Sequence, residues 1–184
     1  MRKSWLIPLM LTACGADDVP ERVVEPRPFA GPAPRGAALL ERTMTTMHNA
    51  TRVGVRAAPL VWDPQLAADA GDYAAEMART GRFEHSRGPR GTPNQGENLW
   101  TGTRGAYRYD EMAQHWIDER SVFANRPSPN FSTTGDYRDA GHYVQIIWSG
   151  TQRFGCAIAV AARDEYLVCR YVPAGNVVGM KALP

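Results

Sequence analysis

The chain has few of the features that place a protein in a membrane or on a nucleic acid. No stretch of its 184 residues approaches the roughly 18 to 20 apolar residues that a membrane-spanning helix needs. The formal net charge is only +2, and the basic residues are scattered without a dense run, so we expect no nucleic-acid partner. The remaining composition, 43% hydrophobic and 22% charged, is typical of one globular domain with extensions.

The N-terminus predicts an export signal. Arg2 and Lys3 form a basic start, residues 5–11 form a short apolar stretch, and residues 11–14 (Leu-Thr-Ala-Cys) resemble the bacterial lipobox, whose cysteine is lipidated. We therefore expect residues 1–13 to be a lipoprotein signal peptide and Cys14 to carry acyl chains that attach the protein to a membrane. The alternative is an ordinary secretory signal with a chance cysteine.

A lipidated Cys14 places the protein in the cell envelope outside the cytoplasm, at the outer membrane, in the periplasm or at the cell surface. Gly15 stands where inner-membrane lipoproteins carry a retention aspartate, which favours the outer membrane. Residues 14–36 are rich in proline and poor in large apolar side chains. This composition predicts an extended tether between the anchor and a domain of residues 37–184.

Cys156 and Cys169 are the cysteines that remain once Cys14 is assigned to the anchor. An even pair in an oxidising compartment predicts a disulfide bond. The residues between the two cysteines can form a hairpin, which would bring the thiols together. Two buried free thiols are the alternative.

The patterning of the domain predicts helices first and a hairpin last. Asp63 and Pro64 are typical of a helix start, and glycine is typical of a helix end. The predicted elements are a helix from Ala37 that ends at Gly54, a helix from Pro64 that ends at Gly81, a short strand over 97–100, a helix over about 109–123, and hairpin strands over 155–160 and 165–172 that turn at Arg163 and Asp164.

The third predicted helix carries a carboxylate on its apolar face. At about 100° per residue, Glu119 falls in the middle of the stripe formed by Met112, Trp116 and Phe123. A carboxylate on a buried face needs a partner, because otherwise its pKa rises until the group is neutral. The alternative is a glutamate at the edge of the stripe that reaches water. His115 flanks the same stripe, and its position favours a hydrogen-bonded edge histidine over a ligand.

Residues 141–148 (Gly-His-Tyr-Val-Gln-Ile-Ile-Trp) place His142 at the start of an apolar run. Such a run is expected to be packed, so His142 should lie where the core meets a cleft and should have partners there. Upstream candidates for these partners are His85, Glu97 and Glu119. Periodicity alone does not decide whether this run is a helix or a strand.

Four motifs occur in a fixed order along the chain. They are residues 48–52 (His-Asn-Ala-Thr-Arg), 96–99 (Gly-Glu-Asn-Leu), 141–148, and 169–176 (Cys-Arg-Tyr-Val-Pro-Ala-Gly-Asn). Together they resemble the HNxxR, GEN, GHYTQVVW and CxYxPxGN motifs of the CAP superfamily, which comprises cysteine-rich secretory, antigen-five and plant pathogenesis-related proteins. The resemblance covers about residues 38–178, and four motifs in order are far more specific than one.

The resemblance implies an α+β fold, namely a three-layer α-β-α sandwich with a small antiparallel sheet between helices and a cleft beside it. It also implies a tetrad of His85, Glu97, Glu119 and His142 in that cleft. The commonest interpretation of this tetrad is a divalent metal held by the two histidines, with the two glutamates orienting them through hydrogen bonds. Val144 stands where the family usually has threonine, which removes a hydroxyl near the site.

Zn²⁺ is the natural ion for two neutral imidazoles, and a polar network that only satisfies itself is the alternative. Three function classes remain open: a binding module for a metal and a small amphiphile such as a lipid or sterol, a metal-dependent hydrolase or protease, and an envelope protein that binds another protein. The hydrolase would use Glu97 or Glu119 as base, or Ser86 as nucleophile. We favour binding or interaction, because the sequence offers no unambiguous pair of a nucleophile or metal-bound water with a substrate-fixing group, and Ser86 lacks a nucleophile-elbow pattern. We also expect a monomer.

Two other groups of conspicuous residues are predicted to be structural. Asn49 and Arg52 lie at the end of the first helix, where hydrogen bonds to loop carbonyls are expected, and His48 lies beside them. Core packing is the expected role of four tryptophans, Trp62, Trp100, Trp116 and Trp148.

Overall fold

A computed structural model describes residues 24–27, 29–87 and 94–184. The predicted signal peptide and the lipidation site at Cys14 lie outside these residues. In chain order the described elements are α1 (Ala37–Gly54), β1 (Val61–Trp62), α2 (Pro64–Thr80), β2 (Gly96–Thr103), α3 (Tyr109–Asp118), α4 (Gly141–Ile147), β3 (Arg153–Val160) and β4 (Asp164–Val172). Short 3₁₀ turns cover Glu119–Val122 and Tyr137–Asp139.

The sheet has the strand order β1-β3-β4-β2. The predicted hairpin of β3 and β4 is antiparallel, and β2 also pairs antiparallel with β4. Only the two-residue edge strand β1 departs from the predicted antiparallel sheet, because it runs parallel to β3. A parallel pair needs a long connection, and the chain between β1 and β3 supplies one that includes α2, β2, α3 and α4.

Helices cover both faces of the sheet, which confirms the predicted three-layer α+β architecture. On one face α2 packs Ala70, Ala74 and Met77 against Leu99 and Val168 of the sheet. On the other face lies the larger core, built from α1, α3, α4 and the opposite side of the strands. Its largest members include Met44, Trp100, Trp116, Tyr143, Ile146, Phe154 and Tyr171.

The start and the end of α2 follow the predicted signals. The side chain of Asp63 accepts hydrogen bonds from the backbone N–H groups of Gln65 and Leu66, and Gly81 closes the helix with a φ of 72°. Strand β3 meets this helix start at Gly155, where a Cβ atom would lie 2.3 Å from the backbone nitrogen of Ala67. Only glycine permits this approach of strand to helix.

Several element boundaries differ from the sequence-based expectations, and one open assignment is resolved. Strands β3 and β4 begin earlier than predicted, at Arg153 and Asp164, so Asp164 lies in a strand and not in the turn. Helix α3 ends at Asp118, and the chain continues to Val122 in the tighter 3₁₀ form that often closes a helix. Strand β2 extends to Thr103, because its backbone remains paired with β4 beyond the alternating residues. The ambiguous apolar run 141–147 is a helix, α4.

The predicted disulfide is confirmed. Cys156 of β3 and Cys169 of β4 are directly opposite each other in the ladder and form a disulfide bond. Such a bond is typical of an extracytoplasmic protein. None of the helices in the described part of the chain is long and apolar enough to cross a membrane.

The described part of the predicted tether contacts the domain. We call residues 24–36 the N-terminal arm, of which residue 28 is not described. The backbone nitrogen of Ala33 donates to the carbonyl of Gly105 at 2.9 Å, and the guanidinium of Arg35 pairs with the buried carboxylate of Glu165. The segment that precedes α1 is therefore attached beside the end of β2 and the start of β4.

Candidate functional site

The four predicted site residues form two glutamate–histidine pairs. Nδ1 of His85 lies 2.7 Å from Oε1 of Glu97, and Nδ1 of His142 lies 2.5 Å from Oε1 of Glu119. In both pairs the carboxylate therefore engages the same ring nitrogen. This arrangement leaves Nε2 of each histidine as the nitrogen that can bind a further group.

The Glu119–His142 pair is built where α3 ends and α4 begins. Oε2 of Glu119 accepts hydrogen bonds from the backbone nitrogens of His142 and Tyr143, at 2.9 and 3.0 Å. The negative charge therefore lies at the positive end of α4, where it is stabilising. Trp116, one turn before Glu119, stacks on the His142 ring with centroids 5.9 Å apart. The carboxylate and the indole together fix the position and orientation of this imidazole.

The Glu97–His85 pair is built on β2. The side chain of Glu97 is fully buried, and it accepts hydrogen bonds from the backbone nitrogen and the hydroxyl of Ser86, at 3.0 and 2.9 Å. Nη1 of Arg170 lies 2.8 Å from the same carboxylate. The ladder explains this contact, because Glu97 and Arg170 are opposite each other on β2 and β4. Burial, and then the charge of Glu97, raises the pKa of the nearby Tyr73.

Strand β2 connects the two pairs. Successive side chains of a strand point to opposite faces, so Glu97 and Asn98 face different layers of the sandwich. The amide of Asn98 donates to the backbone carbonyl of His142 at 3.1 Å. Strand β2 therefore carries Glu97 of one pair and, at the next residue, the side chain that bonds the backbone of the other pair's histidine.

A groove of about 590 Å³ runs along this edge. Glu119 and His142 line it, whereas His85 and Glu97 lie beyond its lining residues. Most of its other wall is apolar or aromatic and includes Phe83, Leu99, Trp100, Trp116 and Tyr166. The groove thus combines one oriented imidazole and one carboxylate with a long apolar surface.

The histidines fit the geometry that metal-binding histidines use in proteins. Such a histidine donates its second ring N–H to a carboxylate, which fixes the tautomer and leaves the other nitrogen for the ion. His85 and His142 both have this arrangement through Glu97 and Glu119. Within the described residues no cluster of three or more metal-type side chains occurs, so an ion bound here would need water to complete its shell.

Ser86 is held between two charged groups. Its hydroxyl donates to Oε2 of Glu97 and accepts from Nη1 of Arg170 at 3.1 Å. The proton of the hydroxyl therefore points at a carboxylate that already serves His85 and Arg170. These contacts favour a structural role for Ser86 over the nucleophilic role considered from the sequence.

Sequence reasoning missed several residues that support the site. Arg170 was detectable as the charged residue within the otherwise apolar second half of β4, and Asn98 as a polar residue directly after Glu97. Gln145 was less visible: its buried amide accepts from the backbone of Gly175 at 2.9 Å and packs against Gly96. A Cβ atom at Gly96 would lie 2.1 Å from Oε1 of Gln145, so a larger residue directly before Glu97 would displace this amide.

His115 is an edge histidine with hydrogen-bond partners, as the helical stripe predicts. Its Nδ1 accepts a hydrogen bond of 2.9 Å from the indole nitrogen of Trp100. Because Nδ1 accepts, the neutral ring carries its proton on Nε2. That nitrogen lies 3.4 Å from Oε2 of Glu25 in the N-terminal arm.

His48 and Arg52 are structural, as expected. His48 is fully buried and stacks on Phe154, and its ring nitrogens bond the carbonyl of Met44 and the hydroxyl of Tyr171, both at 2.8 Å. Burial is the main cause that lowers the pKa of His48 to about 4.

Arg52 binds carbonyls at the end of α4 and in the loop that follows it. Its guanidinium donates to the carbonyls of Ile146, Trp148 and Thr151, at 2.8, 2.9 and 3.2 Å. The amide of Asn49 likewise bonds the backbone of Leu60 in both directions. These residues connect α1 to its neighbouring loops and are separate from the groove.

The fold and the site together define a class. A small sheet lies between helical layers, as the CAP resemblance implies, and the described residues include two glutamate–histidine pairs near its edge strand. The profile of the cysteine-rich secretory protein family, CAP, matches residues 45–171. The chain belongs to this family.

Individual relatives agree with this assignment. Pathogenesis-related protein 1C of Nicotiana tabacum is 34% identical over 133 residues, which cover 72% of this chain and 74% of that protein. Pathogenesis-related protein PRMS of Zea mays is 33% identical over 139 residues, which cover 74% of this chain and 78% of that protein. The crystal structure of NaASP2 with Zn²⁺ is 21% identical, with a TM-score of 0.65 over 82% of this chain and 89% of that one, and so supports the fold.

Proposed function

We propose that the protein is an envelope-anchored CAP-domain lipoprotein that binds a divalent metal ion through His142 and His85. We further propose that it holds a small amphiphilic ligand, lipid- or sterol-like, or a protein partner in the adjoining groove. The observation that carries the proposal is the fixed orientation of His142. Glu119 holds its Nδ1 and its backbone nitrogen, while the ring borders a groove with apolar and aromatic walls.

Zn²⁺ is the ion that this donor set favours. Neutral imidazole nitrogens suit Zn²⁺, and both histidines have a carboxylate partner that selects the Nδ1–H tautomer. A structure of the same fold, NaASP2, was solved with Zn²⁺, which supports the choice of ion. With two histidine ligands we expect micromolar or weaker affinity, and protonation near about pH 6 to 7 should compete with the metal.

Binding is a better account of the site than hydrolysis. Glu119 is engaged by the ring and two backbone N–H groups, and Glu97 by His85, Ser86 and Arg170. A general base must be free to take a proton from the reacting water. Both carboxylates instead serve to orient histidines and to hold the backbone.

The metal proposal is tested by calorimetry of the full chain with ZnCl₂ at neutral pH. We expect His142→Gln and His85→Gln each to weaken binding more than tenfold. His115→Gln is the matched control, because it removes a groove histidine outside both pairs. Equal affinity in all four proteins would refute the site, and loss in His142→Gln alone would reduce it to one histidine ligand.

The ligand proposal is tested separately by mass spectrometry of lipids that co-purify with the protein from its own membrane. A defined amphiphile present at near-stoichiometric amount supports the groove as its site. A protein carrying only the bulk membrane lipids would contradict a dedicated amphiphile site and leave a protein partner. The same sample shows by intact mass whether Cys14 is lipidated.

A further inference from the structure

The N-terminal arm has an inner and an outer attachment to the domain, and the inner attachment is the stronger of the two. The inner place involves Ala33 and Arg35. The backbone of Ala33 donates to Gly105, and Arg35 donates both to the carboxylate of Glu165 and, at 2.9 Å, to the backbone carbonyl of Tyr107. The side chain of Glu165 is 1% exposed and also accepts from the backbone nitrogen of Gly105. A buried, multiply bonded ion pair of this kind is costly to separate.

The outer place involves Glu25. Its carboxylate faces Nε2 of His115 at 3.4 Å and is also hydrogen-bonded by the hydroxyl of Tyr107. The side chains of Glu25 and His115 are 40% and 35% exposed. Contacts between such accessible groups contribute little stability, so this attachment is easily broken.

Phe29 lies between the two places. The guanidinium groups of Arg27 and Arg108 lie 5.0 and 5.3 Å from the centre of its ring. The Arg108 contact joins the arm to the residue that precedes α3, whereas the Arg27 contact lies within the arm. The arm is thus attached along its length, with the weakest contacts at the end farthest from α1.

The outer end of the arm is part of the groove wall. Val24 and Glu25 line the groove together with His142 and Glu119. Beneath residues 24–27 lies a second cavity of about 320 Å³, bounded by Thr103, Tyr107 and His115. The arm therefore covers one end of the groove without filling it.

We propose that the N-terminal arm is a strap over this end of the groove. Its outer residues, 24–27, lift to widen the groove while Arg35 and Ala33 remain attached. The division follows from the contacts: an ion pair with a buried carboxylate and backbone bonds on the inner side, and on the outer side the exposed carboxylate of Glu25 with one long bond of 3.5 Å from Arg27 to the carbonyl of Gly105. A strap of this kind controls how large a molecule can reach the surface beside His142, whatever that molecule is.

The test uses the full chain and the dye Nile red. Because the dye is uncharged, removing the negative charge of Glu25 does not by itself attract or repel it. Glu25→Gln and Phe29→Ala each release the outer strap by a different route. We expect both variants to bind Nile red more tightly, by about two- to fivefold, as expected for the loss of one exposed contact. Glu41→Gln, an exposed glutamate on α1, is the matched control and should not change binding.

Two further readouts locate the change. The rate at which diethyl pyrocarbonate modifies His115, followed by peptide mapping, should rise in Glu25→Gln by a similar factor. Hydrogen exchange in residues 33–36 should stay as slow as in the wild type, because the inner attachment is intact. Unchanged dye binding and His115 reactivity would overturn the strap, and faster exchange in residues 33–36 would overturn its division into two parts.

Discussion

One carboxylate, that of Glu119, bonds both the ring and the backbone of His142. Oε1 lies 2.5 Å from Nδ1 of the imidazole, and Oε2 lies 2.9 Å from the backbone nitrogen of the same residue. Glu119 is also the first residue of the 3₁₀ turn that follows α3, so the carboxylate joins the end of one helix to the start of the next. The orientation of the imidazole therefore depends on the packing of α3 against α4.

Replacing Glu119 by glutamine tests this dependence. The amide keeps the shape of the side chain but loses the charge that strengthens its hydrogen bonds to Nδ1 and to two backbone N–H groups. We expect the free energy of unfolding to fall by about 1 to 2 kcal/mol. If His142 is a metal ligand, Zn²⁺ affinity should also fall by about 10- to 100-fold. Urea denaturation and calorimetry measure the two effects.

Asp118→Asn is the control for Glu119→Gln. Asp118 is the preceding residue, but it is exposed, and its side chain accepts a hydrogen bond from Gln114 on the same helix. The change in net charge is identical in the two variants. If Asp118→Asn matched Glu119→Gln in both measurements, net charge would explain the result and the specific role of Glu119 would be wrong.

The buried pair of Glu97 and Arg170 leads to a second prediction. Their side chains are 0% and 6% exposed, and their closest atoms are 2.8 Å apart. Replacing Arg170 by methionine leaves the carboxylate buried without its main counter-charge. We expect Arg170→Met to lower the free energy of unfolding by about 3 to 5 kcal/mol, as measured by urea denaturation.

The double variant Glu97→Gln/Arg170→Met distinguishes the loss of the ion pair from a simple loss of packing. Removing both charges removes the uncompensated carboxylate, so we expect the double variant to be more stable than Arg170→Met alone. A strictly additive loss would show that the two charges do not interact. Hydrogen bonds from Ser86 and His85 to residue 97 can persist in glutamine, which keeps the local geometry comparable.

Local signals account for the parts of the fold that were predicted well. Asp63, Pro64 and Gly81 specify the ends of α2 through hydrogen bonds and backbone preferences that involve only nearby residues. The apolar stripe of α3 likewise identified Glu119 as a carboxylate that needs a partner. The family motifs then grouped it with His142, and the structure pairs these two residues.

Features that depend on register or on distant partners were not predictable in this way. Arg170 faces Glu97 because β2 and β4 pair at that position, which no local pattern fixes. Arg35 lies in a proline-rich segment whose composition indicates an extended tether, yet a buried carboxylate on β4 binds it. Asn98, the neighbour of Glu97 on β2, bonds the backbone carbonyl of His142, which no pattern near either residue indicates.

A third prediction concerns His48 and the stability of the fold towards acid. Burial, the largest cause, lowers the pKa of His48 from 6.5 to about 4, against the opposing effect of the hydrogen bond that the imidazole donates to the Met44 carbonyl. As the pH falls below about 6.5 the unfolded chain takes up a proton at this histidine, whereas the folded protein does so only near pH 4. Between about pH 6.5 and pH 4 the unfolded state therefore binds more protons than the folded state, so the free energy of unfolding decreases as the pH decreases.

The expected loss of stability is large enough to measure. A difference of 1 pKa unit corresponds to about 1.4 kcal/mol, so His48 should contribute a loss of about 3 kcal/mol between pH 7 and pH 4. His48→Gln should be less stable than the wild type at pH 7 but should lose less stability on acidification. The comparison is made by urea denaturation at several pH values, and the titrations of the other histidines cancel in the difference between the two proteins.

Tyr171→Phe is the matched control for His48→Gln. It removes the hydroxyl bonded to Nε2 of His48 but leaves the buried imidazole in place. Burial raises the pKa of Tyr171 well above its usual value, so the tyrosine itself does not titrate in this range. We therefore expect Tyr171→Phe to lower stability at every pH and to keep a dependence on pH close to that of the wild type. If His48→Gln showed that same dependence on pH, another group would be responsible for the acid sensitivity. The assignment of this sensitivity to the buried, neutral imidazole of His48 would then be wrong.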